Sequence, residues 1–213
     1  MGAGAVLHPH LGPYTVDDLF ELPPEWDVRC EVLDGCLIVS PAASPLHQRV
    51  ADRLCRLFND TLPETAEAVT AVAVRMPKGD GPVPDIVVMT PTEPLPPRGV
   101  PAGEVHTVVE VVSPTNAHHD RVRKRDIYAE AGIPCYWRVE LRSWRGYRGP
   151  LPLVVVRVRE ADRWRTILAP AGQVHELPVA AGRAAGRAAP GVPEMLLMRL
   201  NPAVLAASRL AGS

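Results

Sequence analysis

Two carboxylates in this chain of 213 residues stand where carboxylates are costly. Asp85 lies in Val83-Pro-Asp-Ile-Val-Val-Met89 and Glu110 in Val105-His-Thr-Val-Val-Glu-Val-Val-Ser-Pro114, short apolar and β-branched runs that read as buried strands. A buried carboxylate needs a hydrogen-bonding partner or a cation, because burial without one is strongly unfavourable. Two such strands side by side would bring Asp85 and Glu110 close enough to share one hard metal ion, which takes oxygen ligands and keeps several of its waters. That is the outline of a hydrolytic metal site.

Further candidates follow from periodicity. The runs Val28-Arg-Cys-Glu-Val-Leu33 and Cys36-Leu-Ile-Val-Ser40 flank Asp34-Gly35, a strong signal for a two-residue hairpin, and Glu31 shares a strand face with Arg29 and Leu33. From Ser44 to about Leu62, the residues Leu46, Val50, Leu54, Leu57 and Phe58 recur at helical spacing, with Ser44 as cap and Pro45 in the first turn. His47 sits on the inward side of that helix. A second helix is predicted from Asn116 to Ala131, capped by Thr115 or Asn116 and ended by Gly132 with Pro134 beyond. Asp120, Lys124 and Tyr128 share one face of it at i, i+4 and i+8. Arg121, Arg123 and Arg125 point elsewhere and read as phosphate contacts or solvated charge.

The elements that must position these groups are an alternation of strands and a few helices. Thr15 caps a short helix over Val16–Leu22, stopped by Pro23 and Pro24. A strand is predicted over Ala68–Arg75, turned by Lys78-Gly-Asp-Gly-Pro82 into the Asp85 strand, and residues 90–104 form a Pro- and Gly-rich loop. Cys135–Leu141, Leu153–Arg159, Trp164–Leu168, Val174–Pro178 and Met195–Leu200 read as later strands, and Pro202–Leu210 as a closing helix. Ala180–Gly191 is low in complexity and reads as a loop.

Composition bounds the class. With 46% hydrophobic residues, a net charge of -1 and no apolar run long enough to cross a bilayer, the chain is expected to be a soluble, cytoplasmic protein without a membrane partner. Residues 1–13 read as a flexible start, 14–179 as one domain, and 180–213 as its loop and closing elements. Cys30, Cys36, Cys55 and Cys135 show no C-x-x-C spacing, so buried free thiols are expected. Residues 1–60 hold nine acidic and four basic side chains, whereas 121–165 hold twelve basic and five acidic, a polarity suited to a polyanion against the second half.

In this order, the Glu31 hairpin, the Ser44-Pro-Leu-His47 helix start, Pro84-Asp85, Glu110, Asp120-Arg-Val-Arg-Lys124 and Tyr128-Ala-Glu-Ala-Gly-Ile-Pro-Cys-Tyr-Trp137 resemble the PD-(D/E)XK nuclease superfamily. More narrowly, they resemble the Uma-two type of bacterial putative restriction endonucleases, over residues 15 to about 141. The resemblance implies an α/β (α+β) fold with a mixed central sheet flanked by helices, often dimeric, and a Mg²⁺-dependent phosphodiesterase acting on DNA, with Mn²⁺ able to substitute. It makes Asp85 and Glu110 the metal-binding acids, Glu31 the acid of the preceding hairpin, and His47, Tyr128 and Asp120 their supports. The superfamily's usual lysine, two residues after the second acid, is here Val112; Lys124 resembles that lysine relocated to the next helix.

Two other readings compete. A catalytically inactive nuclease-fold module binding nucleic acid or a protein would also suit Val112 and the modest net charge. A hydrolase of small phosphate esters is disfavoured, because the chain has no Gly-rich phosphate cradle, no His-rich ligand set and no G-x-S-x-G elbow.

Overall fold

The computed structural model describes residues 12–23, 26, 28–113, 119–161, 163–183 and 193–208. Of the stretches predicted above, residues 1–11, the caps Thr115 and Asn116, the loop over 184–192 and the end of the closing helix from 209 lie outside the described residues.

Local chemistry sets the first elements. Thr15 and Asp18 form a capping box at the short 3₁₀ helix Val16–Phe20. Asp34 and Gly35 take φ of 53° and 71°, as a tight hairpin turn requires, and join β1 (Arg29–Leu33) to β2 (Cys36–Ser40). The Ser44 hydroxyl accepts the His47 N–H at the start of α1 (Pro45–Asn59), which buries His47, Val50, Ala51, Leu54 and Phe58 along one stripe.

The strand predicted over 68–75 is divided. Ala71 takes φ 54°, which breaks the extended run, so β3 (Glu67–Thr70) pairs antiparallel with β5 (Ile86–Met89). β4 (Val74–Arg75) leaves that sheet to pair in parallel with β6 (Val100–Pro101). Asp85 stands just before β5 rather than inside it, held by its own N–H on the Val109 carbonyl at 3.0 Å. β7 (Val105–Val111) carries Glu110, and α2 (Lys124–Glu130) is entered through a π-helical turn over His119–Arg123.

The remaining elements are β8 (Cys135–Glu140), β9 (Leu153–Glu160), β10 (Arg163–Pro170), β11 (His175–Arg183), β12 (Pro193–Leu200) and α3 (Ala203–Ala206). β11 runs four residues into the stretch predicted as loop. Ala180 and Ala181 are fully buried there, and their small side chains let the strand lie close against the sheet.

The main sheet has the order β10-β9-β8-β7-β5-β3, with β7 and β8 parallel and the other pairs antiparallel. It is the mixed sheet expected. α1 and the β11–β12 ribbon cover one face, packing Leu54, Phe58, Leu177 and Val179 on Val109, Trp137 and Val156. α2 and the β1–β2 hairpin cover the other, where Leu33, Ile127 and Tyr128 meet Val87, Val108 and Tyr136. Of the four free cysteines, Cys135 is buried, Cys30 and Cys55 are half-buried and Cys36, the first residue after the hairpin turn, is exposed, so the expected burial holds for Cys135, in part for Cys30 and Cys55 and not for Cys36. Among the described residues, no helix is long and apolar enough to cross a membrane.

β11 is fastened to the sheet by a reciprocal pair of bonds. Thr107 Oγ1 donates to the Ala180 carbonyl at 2.9 Å and accepts the Ala180 N–H at 3.0 Å. Thr107→Val keeps the shape and orphans both buried backbone groups, so it is expected to lower unfolding free energy by about 2–4 kcal/mol. Urea denaturation beside wild type measures that loss.

Candidate active site

The site is built from strand alternation. Because Ile86 pairs with Val109 in the antiparallel β5–β7 ladder, the same register carried back one residue sets Asp85 opposite Glu110, on the face that α2 covers. Side chains directly opposite on neighbouring strands lie within contact range, and like charges so placed repel. Asp85 is 5% and Glu110 2% exposed, so water does little to screen them.

Cations and donors from three other segments converge on the pair. Arg29 of β1 places Nη1 2.5 Å from Asp85 Oδ1 and donates through Nη2 to the Val83 carbonyl. His47 of α1 places Nε2 3.1 Å from the same Asp85 oxygen, and the Val111 N–H donates to Oδ2 at 2.7 Å. Lys124 lies in a three-sided carboxylate nest, its Nζ 2.9 Å from Glu31, 2.9 Å from Glu110 and 3.5 Å from Asp120. Tyr128, one turn further along α2, donates to Glu110 Oε1 at 2.6 Å. Glu31 is itself held by the Val83 N–H at 3.3 Å. The hairpin is fixed for this task by paired bonds between Val32 and Gly81, and any side chain at Gly81 would strike Val16.

Arg29, Glu31, His47, Asp85, Glu110, Asp120 and Lys124 line a cavity of about 460 Å³ between the α1 start and the α2 entry. Its other wall is apolar, formed by Pro41, Ala42, Pro45 and Leu46. Four carboxylates, Glu31, Asp85, Glu110 and Asp120, thus face two permanent cations, Arg29 and Lys124, and the cluster keeps a surplus of negative charge. Burial works against charged Asp85, but the His47 hydrogen bond and the Arg29 guanidinium outweigh it and hold that carboxyl down at about 2. Burial pushes the Glu110 carboxyl up to about 8, with Lys124 opposing the rise and Asp120, Asp85 and Glu31 adding to it. Asp120 is raised to about 6 for the same reasons. Burial disfavours charged Lys124, yet Glu110, Glu31 and Asp120 outweigh it and keep the ammonium protonated. Burial and the neighbouring acids thus favour the protonated form of both Glu110 and Asp120, and the two titrate as a coupled pair.

The structure brings Asp85, Glu110, Glu31, Lys124, His47, Tyr128 and Asp120 together. It does not bring the three arginines with them: Arg121 forks onto Glu140, Arg123 pairs with Asp34 and Arg125 with Asp126. Sequence reasoning placed Arg29 on the Glu31 face but gave it no role. Its contact with Asp85 joins segments 56 residues apart, and no local pattern announces such a contact. Buried Arg138, with Nε 2.9 Å from Glu140, also went unremarked, since Arg at the centre of an apolar strand resembles a solvent-facing alternation.

The donors are of the type a hard divalent cation takes, although among the described residues no three of them are arranged to hold an ion as they stand. Every carboxylate here offers oxygen, Glu110 Oε2 has no protein partner among the described residues, and the surplus negative charge is of the right sign.

Comparison with known proteins bears on this geometry. The family model Uma2, described as a putative restriction endonuclease, matches residues 16–177. No curated protein matches the chain. Among solved structures, a putative nuclease belonging to DUF820 from Anabaena variabilis is similar, with a TM-score of 0.54 and 18% identity over 73% of this chain and 84% of that one. At that identity, the likeness concerns the fold.

The raised carboxyls give stability a definite pH dependence. Glu110, with a folded value of about 8 above its ordinary 4.5, stabilises the fold fully below about pH 4.5 and loses that contribution as pH rises through 8. Unfolding free energy is therefore expected to fall between pH 5 and 8, by up to about 1.4 kcal/mol per unit for one proton. Glu110→Gln flattens the profile, and chemical denaturation at a series of pH values reads the slope.

Proposed function

This chain belongs to the Uma2 family of putative restriction endonucleases, and from that membership and the buried acid pair we propose a Mg²⁺-dependent endonuclease that hydrolyses DNA phosphodiester bonds. The observation that carries the reading is the cross-strand pair Asp85 and Glu110, opening with Lys124 and Glu31 onto one cavity. Asp85 and Glu110 would hold the cation, Mg²⁺ or Mn²⁺, with Glu31 completing the oxygen set directly or through water. When bound, it supplies a Lewis acid for the phosphoryl oxygen and lowers the pKa of a water.

The chain's own groups orient and balance this chemistry. His47 and the Val111 N–H fix the Asp85 carboxylate from two sides, and Tyr128 fixes Glu110, so neither acid has to reorganise when a phosphate arrives. Lys124 offers three N–H donors. Two are committed to Glu31 and Glu110, while the third spans 3.5 Å to Asp120, beyond good hydrogen-bond length. That third donor is the one able to orient a water or meet negative charge growing on the phosphate. Asp120, holding a proton more readily than an ordinary carboxyl, is placed one turn away to carry protons at the same edge.

A second reading has its own observation. Among the described residues, no three His, Cys, Asp or Glu side chains are arranged to hold an ion as they stand, and Arg29 already sits on Asp85. A nuclease-fold module that binds DNA without cutting it would keep such a neutralised pair.

One assay separates the two. Purified protein incubated with supercoiled plasmid and Mg²⁺ or Mn²⁺ is expected to nick it, with EDTA abolishing the reaction. Asp85→Asn and Glu110→Gln are each expected to lower the rate by more than the roughly 10–100-fold that supporting partners of a metal site are worth. Absence of cleavage in either metal, with plasmid binding equal in all three proteins, establishes the binding module instead.

A further inference from the structure

The stretch Leu141-Arg-Ser-Trp-Arg-Gly-Tyr-Arg-Gly-Pro150, the greater part of the β8–β9 connection, leaves β8 at the cavity rim, where Leu141 and Arg142 line the wall. It contains no acidic residue. Arg142, Arg145 and Arg148 recur at every third position, all exposed, and none has a carboxylate or hydrogen-bond partner among the described residues. Most other arginines among the described residues pair with a carboxylate or a carbonyl, whereas three free ones stand together on this one loop.

The loop that carries them is built rather than slack. Trp144 and Tyr147 exchange N–H···O bonds of 3.1 and 3.0 Å around Arg145-Gly146, and their rings stack with centroids 5.3 Å apart at 28°. Those rings lie so close to the backbone that a Cβ at Gly146 would come within 2.8 Å of Trp144 Nε1, and one at Gly149 would strike the Tyr147 ring. The Tyr147 hydroxyl closes the turn on the Pro150 carbonyl at 3.1 Å. Arg121 bolts the loop to the site: it forks onto Glu140 with two bonds of 2.8 Å and lays its guanidinium 4.6 Å from the centre of the Trp144 ring. Arg121 directly follows Asp120 in the turn that leads to Lys124, so the loop and the carboxylate nest share one support.

We infer that loop 141–150 is a docking surface for the DNA backbone, with Arg142, Arg145 and Arg148 taking successive phosphates of the strand entering the cavity. The inference rests on the nuclease reading for what is docked, and it moves phosphate contact from the paired arginines at 121, 123 and 125 to the three unpaired ones. The rings serve as scaffold, each facing another part of the chain, so recognition is of phosphate and is independent of sequence.

Counterion release makes this measurable, since each phosphate contact to duplex DNA adds about 0.9 to the slope of log affinity against log salt. The test is fluorescence anisotropy of a labelled duplex in EDTA, across a range of salt concentrations. It compares wild type, the triple variant Arg142→Gln/Arg145→Gln/Arg148→Gln, and the same three positions changed to Lys. The Gln variant is expected to bind at least about tenfold more weakly at low salt, with a slope shallower by about 2–3, while the Lys variant keeps the wild-type slope. An unchanged slope in the Gln variant overturns the docking surface and leaves the nuclease reading standing, as does a Lys variant that loses the slope equally. Loop-dependent binding by a protein that nicks nothing in Mg²⁺ or Mn²⁺ sinks the nuclease reading and leaves the surface. A wild-type protein that binds no duplex overturns both.

Discussion

Two carboxylates set opposite each other across a dry β-ladder cannot both ionise unless positive charge is brought to them. Much of the fold on that side of the sheet can be understood as meeting this requirement. The β1–β2 hairpin delivers Arg29 to Asp85, α1 delivers His47 to the same oxygen, and α2 delivers Lys124 and Tyr128 to Glu110. Each element reaches the pair from a different part of the chain, so assembling the acids and docking the elements are one event. Removing one partner from such a group costs far more than the pair gains over an apolar substitute, which argues that it persists for something other than stability.

Charge balance ties this constraint to the proposed chemistry. The permanent cations present fall short of the acids, and the shortfall raises the proton affinity of Glu110 and Asp120. A divalent cation would meet the same shortfall, and its binding would then be linked to proton release. Asp85, held low by His47 and Arg29, stays ionised, whereas Glu110, pushed up by burial, would give up a proton to take a cation. Opposite carboxylates with opposite shifts are the pattern by which a site divides its acid and ligand roles.

Much of this was legible in the sequence, for physical reasons that also mark its limits. Asp85 and Glu110 stood out because charge inside an apolar β-branched run has few structural excuses, and Asp120, Lys124 and Tyr128 because helical spacing places them on one face. Asp34-Gly35 and Ser44-Pro45 carried their turn and cap chemistry in the residues themselves. The break at Ala71 was not legible, since alanine in an apolar run gives no sign of a positive φ. β11 past Pro178 was hidden because Ala-rich sequence reads as low complexity until a neighbouring surface, here Thr107 and Trp137, asks for small side chains. Arg29's contact with Asp85 and the free arginines of loop 141–150 depend on long-range geometry, and periodicity has nothing to say about it.

The position of the lysine follows from the same geometry. Val112 lies on the Glu110 side of the strand, lines the cavity and has its N–H tied to the Val139 carbonyl at 2.9 Å, so a lysine there would reach the site along the strand itself. Lys124 instead reaches Glu110 from α2, and does so while touching Glu31 and Asp120. A lysine on the acid's own strand would be placed by the pleat of one element. A lysine on the helix is placed only when the helix, the hairpin and the sheet are docked together, because its partners come from all three. In this arrangement the charge that completes the site is also the charge that holds α2 and β1 to the sheet, so a folded but loosely docked protein would lack the site altogether. The paired contacts of Arg121 extend that dependence to loop 141–150, since the turn that positions Lys124 also fixes the edge over which a strand would enter.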